Sequence, residues 1–345
     1  MNPAPLQFDR GIFTVSLDFE LIWGTLDLPS YTRFLRLCTI EREEIVGRLV
    51  ELLAEFDVSA TWCTVGHLFL DHCGHAGNRH PEIVRSSSCD ALRLKRDPGT
   101  CENEDPVFYG RELIELIRNC RVPQEIGSHS FSHLAFGDPD CSRAAAESDL
   151  AAAVCAAEEL GLELRSFAFP RNQIAYTDLL PLSGFTCYRS RDAIWYDRAK
   201  TRRWYHRAAH LADILTAWTP PVVLPEWDPH GIWTIPGSML FTPSLGIRRL
   251  IPVGLRVARA RKGLRAAVRQ RQIFHLWLHP TDLVERKDAM LNGLRRIFET
   301  MAEMRCKGEL EVLSMGALAL RLPPVDREPL KAVGPQSWIT AEKAG

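Results

Sequence analysis

Short apolar runs alternate with longer amphipathic stretches along most of the chain. The run GIFTVSLDF (11–19) is short, β-branched and ends in acids, which predicts a buried strand. Residues 42–56 follow as a helix, with Ile45, Leu49, Leu52, Leu53 and Phe56 on one face. The same alternation predicts strands over 58–66, 122–129, 164–170, 184–190 and 272–280. It predicts helices over 109–120 and 141–161, the latter stopped by Gly161, and a strand then a helix over 308–322. Such alternation argues for one α/β domain with parallel strands over 10–322.

Two stretches break the pattern. Residues 71–108 carry Gly, Pro, Ser and Asp without a period and read as a long loop insertion, a feature uncommon unless functional. Residues 323–345 are polar and proline-rich and read as a flexible tail.

Chemistry-bearing residues gather where the strands end. Asp18 and Glu20 close the first strand, and His129 and His133 follow the third. Pro170, Arg171 and Asn172 follow the fourth, and His279 ends the IFHLWLH strand. In parallel α/β sheets and barrels the C-terminal strand ends share one face, where active sites form. That convergence points to an enzyme more strongly than any single motif.

Composition narrows the class. The chain has 345 residues, 46% hydrophobic and 25% charged, enough for a sizeable core without disulfides. Net charge is −1, so nothing implies a general attraction to nucleic acid. Ten cysteines are scattered with no C-x-x-C pair, which reads as reduced thiols. The N-terminal segment lacks a basic region followed by an apolar run, and no stretch is long and apolar enough to span a bilayer. These features predict a cytoplasmic protein, peripheral at most to the inner membrane face.

The stretch EIGSHSFSHL (125–134) sets His129 and His133 four apart. Eleven histidines in such a chain give about 0.35 such pairs by chance, so spacing alone is weak. A helical turn after the strand would place both imidazoles on one face, able to share an ion. His206 and His210 have the same spacing without an obvious acid from another strand end. His275 and His279 lie in a strand, where four residues rise about 13 Å, too far to share one ion. His279 therefore enters as a separate catalytic group and His275 as a packed core residue. Asp18 and Glu20 alternate, so a regular strand would aim both carboxylates one way, and together they need a cation.

In order, SLDFE, ATWCTVG, EIGSHSFSH, FAFPRNQ and FHLWLHP resemble the motifs of the polysaccharide deacetylase (NodB-homology) family over residues 11–320. The resemblance implies a distorted (β/α) barrel and a divalent metal, with Zn2+ expected, serving removal of acetyl groups from N-acetylated sugars. It implies His129 and His133 as metal ligands and His279 as general acid. Asp18 is read as general base and Glu20 as third ligand, although the two could exchange roles. Arg171 is expected to orient Asp18, and Asp192, Asp228 and Asp282 all stand as partners for His279. Trp23 and Asn172 are read as substrate contacts. A general acid acting at neutral pH needs its pKa near neutral, so that is expected of His279.

The stretch 246–272 is rich in arginine and has no acid, so it predicts a basic amphipathic helix. It is either a solvated face beside the sheet or a dock for anionic lipid or a substrate's phosphate. Three functions remain open: a sugar N-deacetylase of cell-surface polysaccharide synthesis, a hydrolase of a small amide, imide or formamide, and an inactive glycan-binding relative.

Overall fold

The structure, a computed structural model, describes residues 6–73, 88–193 and 218–323. Among the described residues ten strands form one sheet. They are β1 (Gly11–Phe19), β2 (Thr61–Thr64), β3 (Glu125–Ser128), β4 (Ser166–Ala168) and β5 (Cys187–Ser190), then β6 (Glu226–Asp228), β7 (Ile232–Pro236), β8 (Met239–Leu240), β9 (Ile273–Leu278) and β10 (Leu310–Val312). The order is β6-β7-β5-β4-β3-β2-β1-β9-β8, with β10 added to the start of β1. Every pairing is parallel except β6 with β7. Helices lie between the strands, giving the curled, incompletely closed (β/α) barrel of NodB type.

β1 is the hub, paired with β2, β9 and β10, and all nine of its residues are buried. Phe13, Val15, Leu17 and Phe19 alternate with Thr14, Ser16 and Asp18, so one face of the strand is apolar and the other carries a buried polar row that ends in the cleft. Phe13 stacks on Phe274 of β9 at 5.8 Å and meets Phe298 edge-on at 6.3 Å. Each buried ring contributes about 1.5–3 kcal/mol. The helix Val253–Gln270 packs on β1, and Gly11 permits the approach, since a Cβ there would stand 2.7 Å from the Val268 backbone nitrogen.

The expected strands and helices are present, and three local readings need correction. The first helix starts earlier, at Thr32–Ile40, and joins Val46–Glu55 through a π turn at Glu41–Ile45. That turn presses Glu41, fully buried, against the turn after β9, where it accepts a hydrogen bond from the Thr281 hydroxyl. The insertion 71–108 contains a helix, Ser88–Arg96, which carries the buried Arg93. In the basic stretch, Arg256 and Arg259 turn inward, and Arg256 donates to the carbonyls of Thr242, Pro243, Arg248 and Ile251. Its arginines are therefore partly structural, because carbonyls left open at the turn before the helix need donors. The His206/His210 pair and the tail beyond 323 lie outside the described residues.

Candidate active site

Five C-terminal strand ends meet at one cleft, lined by Asp18, Glu20, Gly24, His133, Arg171, Asn172, Trp277 and His279. β1 delivers Asp18 and, one step past its end, Glu20. β3 delivers His129 and the loop with His133, β4 the Arg171 turn, β5 Arg189, and β9 Trp277 and His279.

His129 Nδ1 donates to the Ala168 carbonyl at 2.8 Å, which turns Nε2 into the cleft. Nε2 stands 2.9 Å from Glu20 Oε1. His133 Nε2 stands 3.2 Å from the same oxygen. Burial pulls the His133 imidazole down to about 4, so it is neutral at pH 7. The three donor atoms lie within 4.8 Å of one another. Two imidazole nitrogens and one carboxylate oxygen converge on a single point, a donor set that fits a divalent ion and leaves positions open. His133 Nδ1 is buried with no hydrogen-bond partner among the described residues.

The histidines do not converge on a helical turn, as their spacing predicted. Ser130 and His133 adopt left-handed backbone conformations, φ 62° and 59°, within an irregular loop. Asp149 holds that loop from the helix Arg143–Glu158, accepting from the backbone of Phe131 at 2.7 Å and Ser132 at 3.0 Å, and from the Ser132 hydroxyl at 2.9 Å. Three bonds to one buried carboxylate supply what the helix ladder would have supplied.

Asp18 is buried, and Arg189 grips both its oxygens, at 2.7 and 2.6 Å. Burial pushes the Asp18 carboxyl up, but the Arg189 guanidinium, with His129 and His279 nearby, outweighs it and holds the carboxyl below its ordinary value. Arg189 in turn takes support from Ser16 Oγ at 3.1 Å and stacks over Trp277 at 4.4 Å. Ser16 donates to His275 Nε2 at 2.9 Å, and His275 Nδ1 donates to the Pro236 carbonyl at 3.2 Å. His275 is fully buried, in the core position expected of it. Burial lowers it to about 3, so it stays neutral.

His279 lies across the cleft, with its Nδ1 donating to Asp282 at 2.9 Å. Asp282 is therefore the partner among the three aspartates considered. Asp192 instead accepts from the Trp277 indole at 2.7 Å, and Asp228 from the Tyr188 hydroxyl at 2.8 Å. His279 Nε2 points between the acids, 3.7 Å from Asp18 and 3.6 Å from Glu20. Burial lowers the imidazole, but Asp282, Glu20 and Asp18 outweigh it and raise it to about 10 rather than to neutral. The ring is thus protonated at pH 7, as a donor must be.

Two expected roles do not fit. Arg171 pairs with Asp27, not Asp18. It occupies a left-handed turn with Asn172, φ 57° and 53°, which carries its guanidinium along the cleft wall. Trp23 is fully buried, its indole donating to the Phe108 carbonyl at 3.0 Å and its ring 4.2 Å from His67, so it offers no surface to a substrate. Asn172 does line the cleft, and Trp277 supplies the aromatic wall.

Sequence reasoning missed Arg189, Trp277 and Gly24. An arginine inside the apolar CYRS strand was a usable signal, since a buried guanidinium demands an acid. Trp277 shares the strand face of His279, two residues away. A Cβ on Gly24 would fall 1.7 Å from Glu20 Oε2, so only glycine leaves that carboxylate its place.

Comparison with solved structures places the fold. A Mycobacterium smegmatis protein described as a polysaccharide deacetylase superimposes with a TM-score of 0.62 at 15% identity, over 95% of this chain and 99% of that one. A Pseudomonas aeruginosa protein, likewise so described, gives 0.60 at 11% identity, over 91% and 92%. PuuE allantoinase gives 0.57 at 12% identity, over 92% and 93%. No family model matches the sequence. No curated protein matches it either. The chain thus has the polysaccharide deacetylase fold, as its motifs indicated.

Proposed function

We propose that this protein is a divalent-metal-dependent hydrolase that removes an N-acyl group, acetyl in the first instance, from a sugar. The observation that carries the reading is the placement of an arginine-held Asp18 and an Asp282-held His279, 3.7 Å apart, beside the Glu20–His129–His133 cluster. Glu20 is the carboxylate ligand and Asp18 the base, because both Asp18 oxygens are already committed to Arg189 while Glu20 Oε1 faces the Nε2 atoms of both imidazoles.

A divalent ion held by Glu20, His129 and His133, with zinc as the expected metal, supplies Lewis acidity toward the amide carbonyl and a more acidic water. The chain's own groups do the rest. Asp18 accepts the proton of the attacking water, and Arg189 keeps its carboxylate ionised and aimed. His279 gives its Nε2 proton to the departing amine nitrogen, while Asp282 fixes its tautomer. Arg171, Asn172 and Trp277 form the cleft wall against which a sugar ring rests, Trp277 by apolar contact.

Likeness in fold to proteins described as polysaccharide deacetylases favours a sugar. For this chain, cell-surface polysaccharide synthesis in the cytoplasm is the proposed setting. No described helix is long and apolar enough to cross a membrane. A phosphate- or lipid-linked sugar would meet the exposed Arg248 and Arg249, on the turn that leads into the helix Val253–Gln270, since Arg256 is spent on carbonyls. Pelleting with anionic vesicles at low salt, lost at high salt, tests that contact. Likeness to an allantoinase favours a small cyclic amide as the second reading.

The test is a substrate panel on zinc-loaded protein: N-acetylglucosamine oligomers, an O-acetylated xylan and allantoin. Acetate released from the first supports the reading. Turnover of allantoin alone moves it to the second. A metal-loaded site that hydrolyses none of them makes the protein a binding relative.

A further inference from the structure

A second donor cluster stands behind the cleft wall. The turn Gly66–Phe69 after β2 carries His67, the chain then reaches Cys73, and Asp97 follows the helix Ser88–Arg96. His67 Nε2 lies 3.2 Å from Asp97 Oδ2. Cys73 Sγ lies 3.4 and 3.5 Å from the two Asp97 oxygens. His67 and Cys73 are buried, and one donor atom from each of the three residues falls within 4.8 Å of the others.

The orientation of His67 is the telling detail. Its Nδ1 is 3.0 Å from the Phe108 carbonyl, which only accepts, so Nδ1 carries the proton. Nε2, the other ring nitrogen, is thereby turned to the Asp97 carboxylate and the Cys73 sulfur. Ligating histidines are anchored in this way, the remote N–H held by a backbone carbonyl. Separations agree as well. Ligands about 2.0–2.3 Å from a tetrahedral zinc stand roughly 3.3–3.6 Å apart, close to the spacings around Asp97.

We propose that His67, Cys73 and Asp97 bind a second divalent ion of the zinc class, separate from the ion of the cleft. A thiolate, an imidazole and a carboxylate together select such an ion over magnesium or calcium. The three donors leave one tetrahedral position for water. On binding, the Cys73 S–H bond breaks, its proton passes to solvent and the sulfur lone pair forms the bond to the ion, with no change of oxidation state. Because binding releases the thiol proton, loading strengthens as pH rises.

The ion would fasten the insertion to the barrel. His67 also packs on Trp23 at 4.2 Å and on Phe131 at 5.7 Å. Phe131 lies between His129 and His133 in the chain, so the second ion braces the loop of the first from behind. Its role is structural, and it does not depend on which substrate the cleft takes.

The experiment loads the full-length protein with Zn2+ or Co2+, removes the excess and measures bound metal. Variants are Cys73→Ser, His133→Gln and the pair together. Wild type should hold two equivalents, each single variant one, and the pair none. The cobalt form adds an independent readout, because only this site contains sulfur. A thiolate-to-cobalt charge-transfer band in the near ultraviolet should occur in wild type and in His133→Gln. If Cys73→Ser does not fold, those two spectra decide alone. One equivalent in wild type, lost in His133→Gln, together with no sulfur–cobalt band, would overturn the proposal and leave a hydrogen-bonded His–Asp–Cys network.

Discussion

Arg189 holds Asp18 by both oxygens, at 2.7 and 2.6 Å, in a pocket where each side chain is almost wholly enclosed. The pair sets the ionisation of the base and its direction together. Arg189→Met removes one partner and leaves a buried carboxylate uncompensated, which costs about 3–5 kcal/mol of stability. The Asp18 carboxyl should then titrate higher. Urea denaturation of the two proteins measures the loss. The acid limb of the rate profile, in conditions where the variant remains folded, should move to higher pH. An unchanged limb would show that Arg189 does not govern the base.

Asp282 does for His279 what Arg189 does for Asp18. It is the largest of the carboxylates raising the imidazole, which burial alone would lower. Asp282→Asn should lower the His279 pKa and shift the alkaline limb of kcat to lower pH. It should also reduce kcat by about 10²- to 10⁴-fold, the usual worth of a positioned acid. Bound metal should stay at the wild-type level, because Asp282 touches none of the three ligands. Equal losses of metal and rate would contradict the assignment.

How much of this was legible beforehand follows from what strands and loops record. β1, β9 and the helix Arg143–Glu158 announced themselves through long apolar or amphipathic runs, since burial writes itself into composition. Asp18, Glu20, His129, His133 and His279 were visible as polar residues placed where strands end. Their geometry was not, because it depends on partners distant in the chain. Asp149 clamps the loop before His133 through residues 17 and 18 positions away, and Arg189 reaches Asp18 across 171. Arg171 misled for the same reason: a guanidinium beside the fourth strand could serve any acid nearby, and Asp27 lies within its reach. Trp23 misled because an indole beside a motif looks like a sugar platform until its burial is known. The cluster of His67, Cys73 and Asp97 has no periodic spacing, so only folding brings it together.

Gly24 offers a test of the metal assignment that leaves every proposed ligand unmutated. Gly24→Ala puts a methyl on the Glu20 carboxylate, which must swing away from the imidazoles. Metal affinity should fall by about 10- to 100-fold, as when support around a ligand is lost. Titration with a competing chelator reads this directly. Unchanged affinity would show that Glu20 is not a ligand, or not in this position.

Glu41 gives the fold a pH dependence. Burial raises its carboxyl to about 8, against 4.5 for the ordinary value, with the Thr281 hydroxyl opposing. The folded protein therefore holds this proton more tightly than the unfolded chain does. Its contribution is fully present below about 4.5 and is lost as pH rises towards about 8, amounting to a few kcal/mol. Glu41→Gln keeps an acceptor for Thr281 and cannot ionise. Its Tm should pull ahead of wild type between pH 5 and pH 8, and parallel curves would contradict the raised value.

The most direct measurement is acetate release from N-acetylglucosamine oligomers by the zinc-loaded protein, its chelated form and zinc-loaded Asp18→Asn. Release by wild type, its loss on chelation with recovery on adding zinc, and its absence in an Asp18→Asn protein that still binds zinc would establish the account. Release that survives chelation, or survives loss of the Asp18 carboxylate, would contradict it.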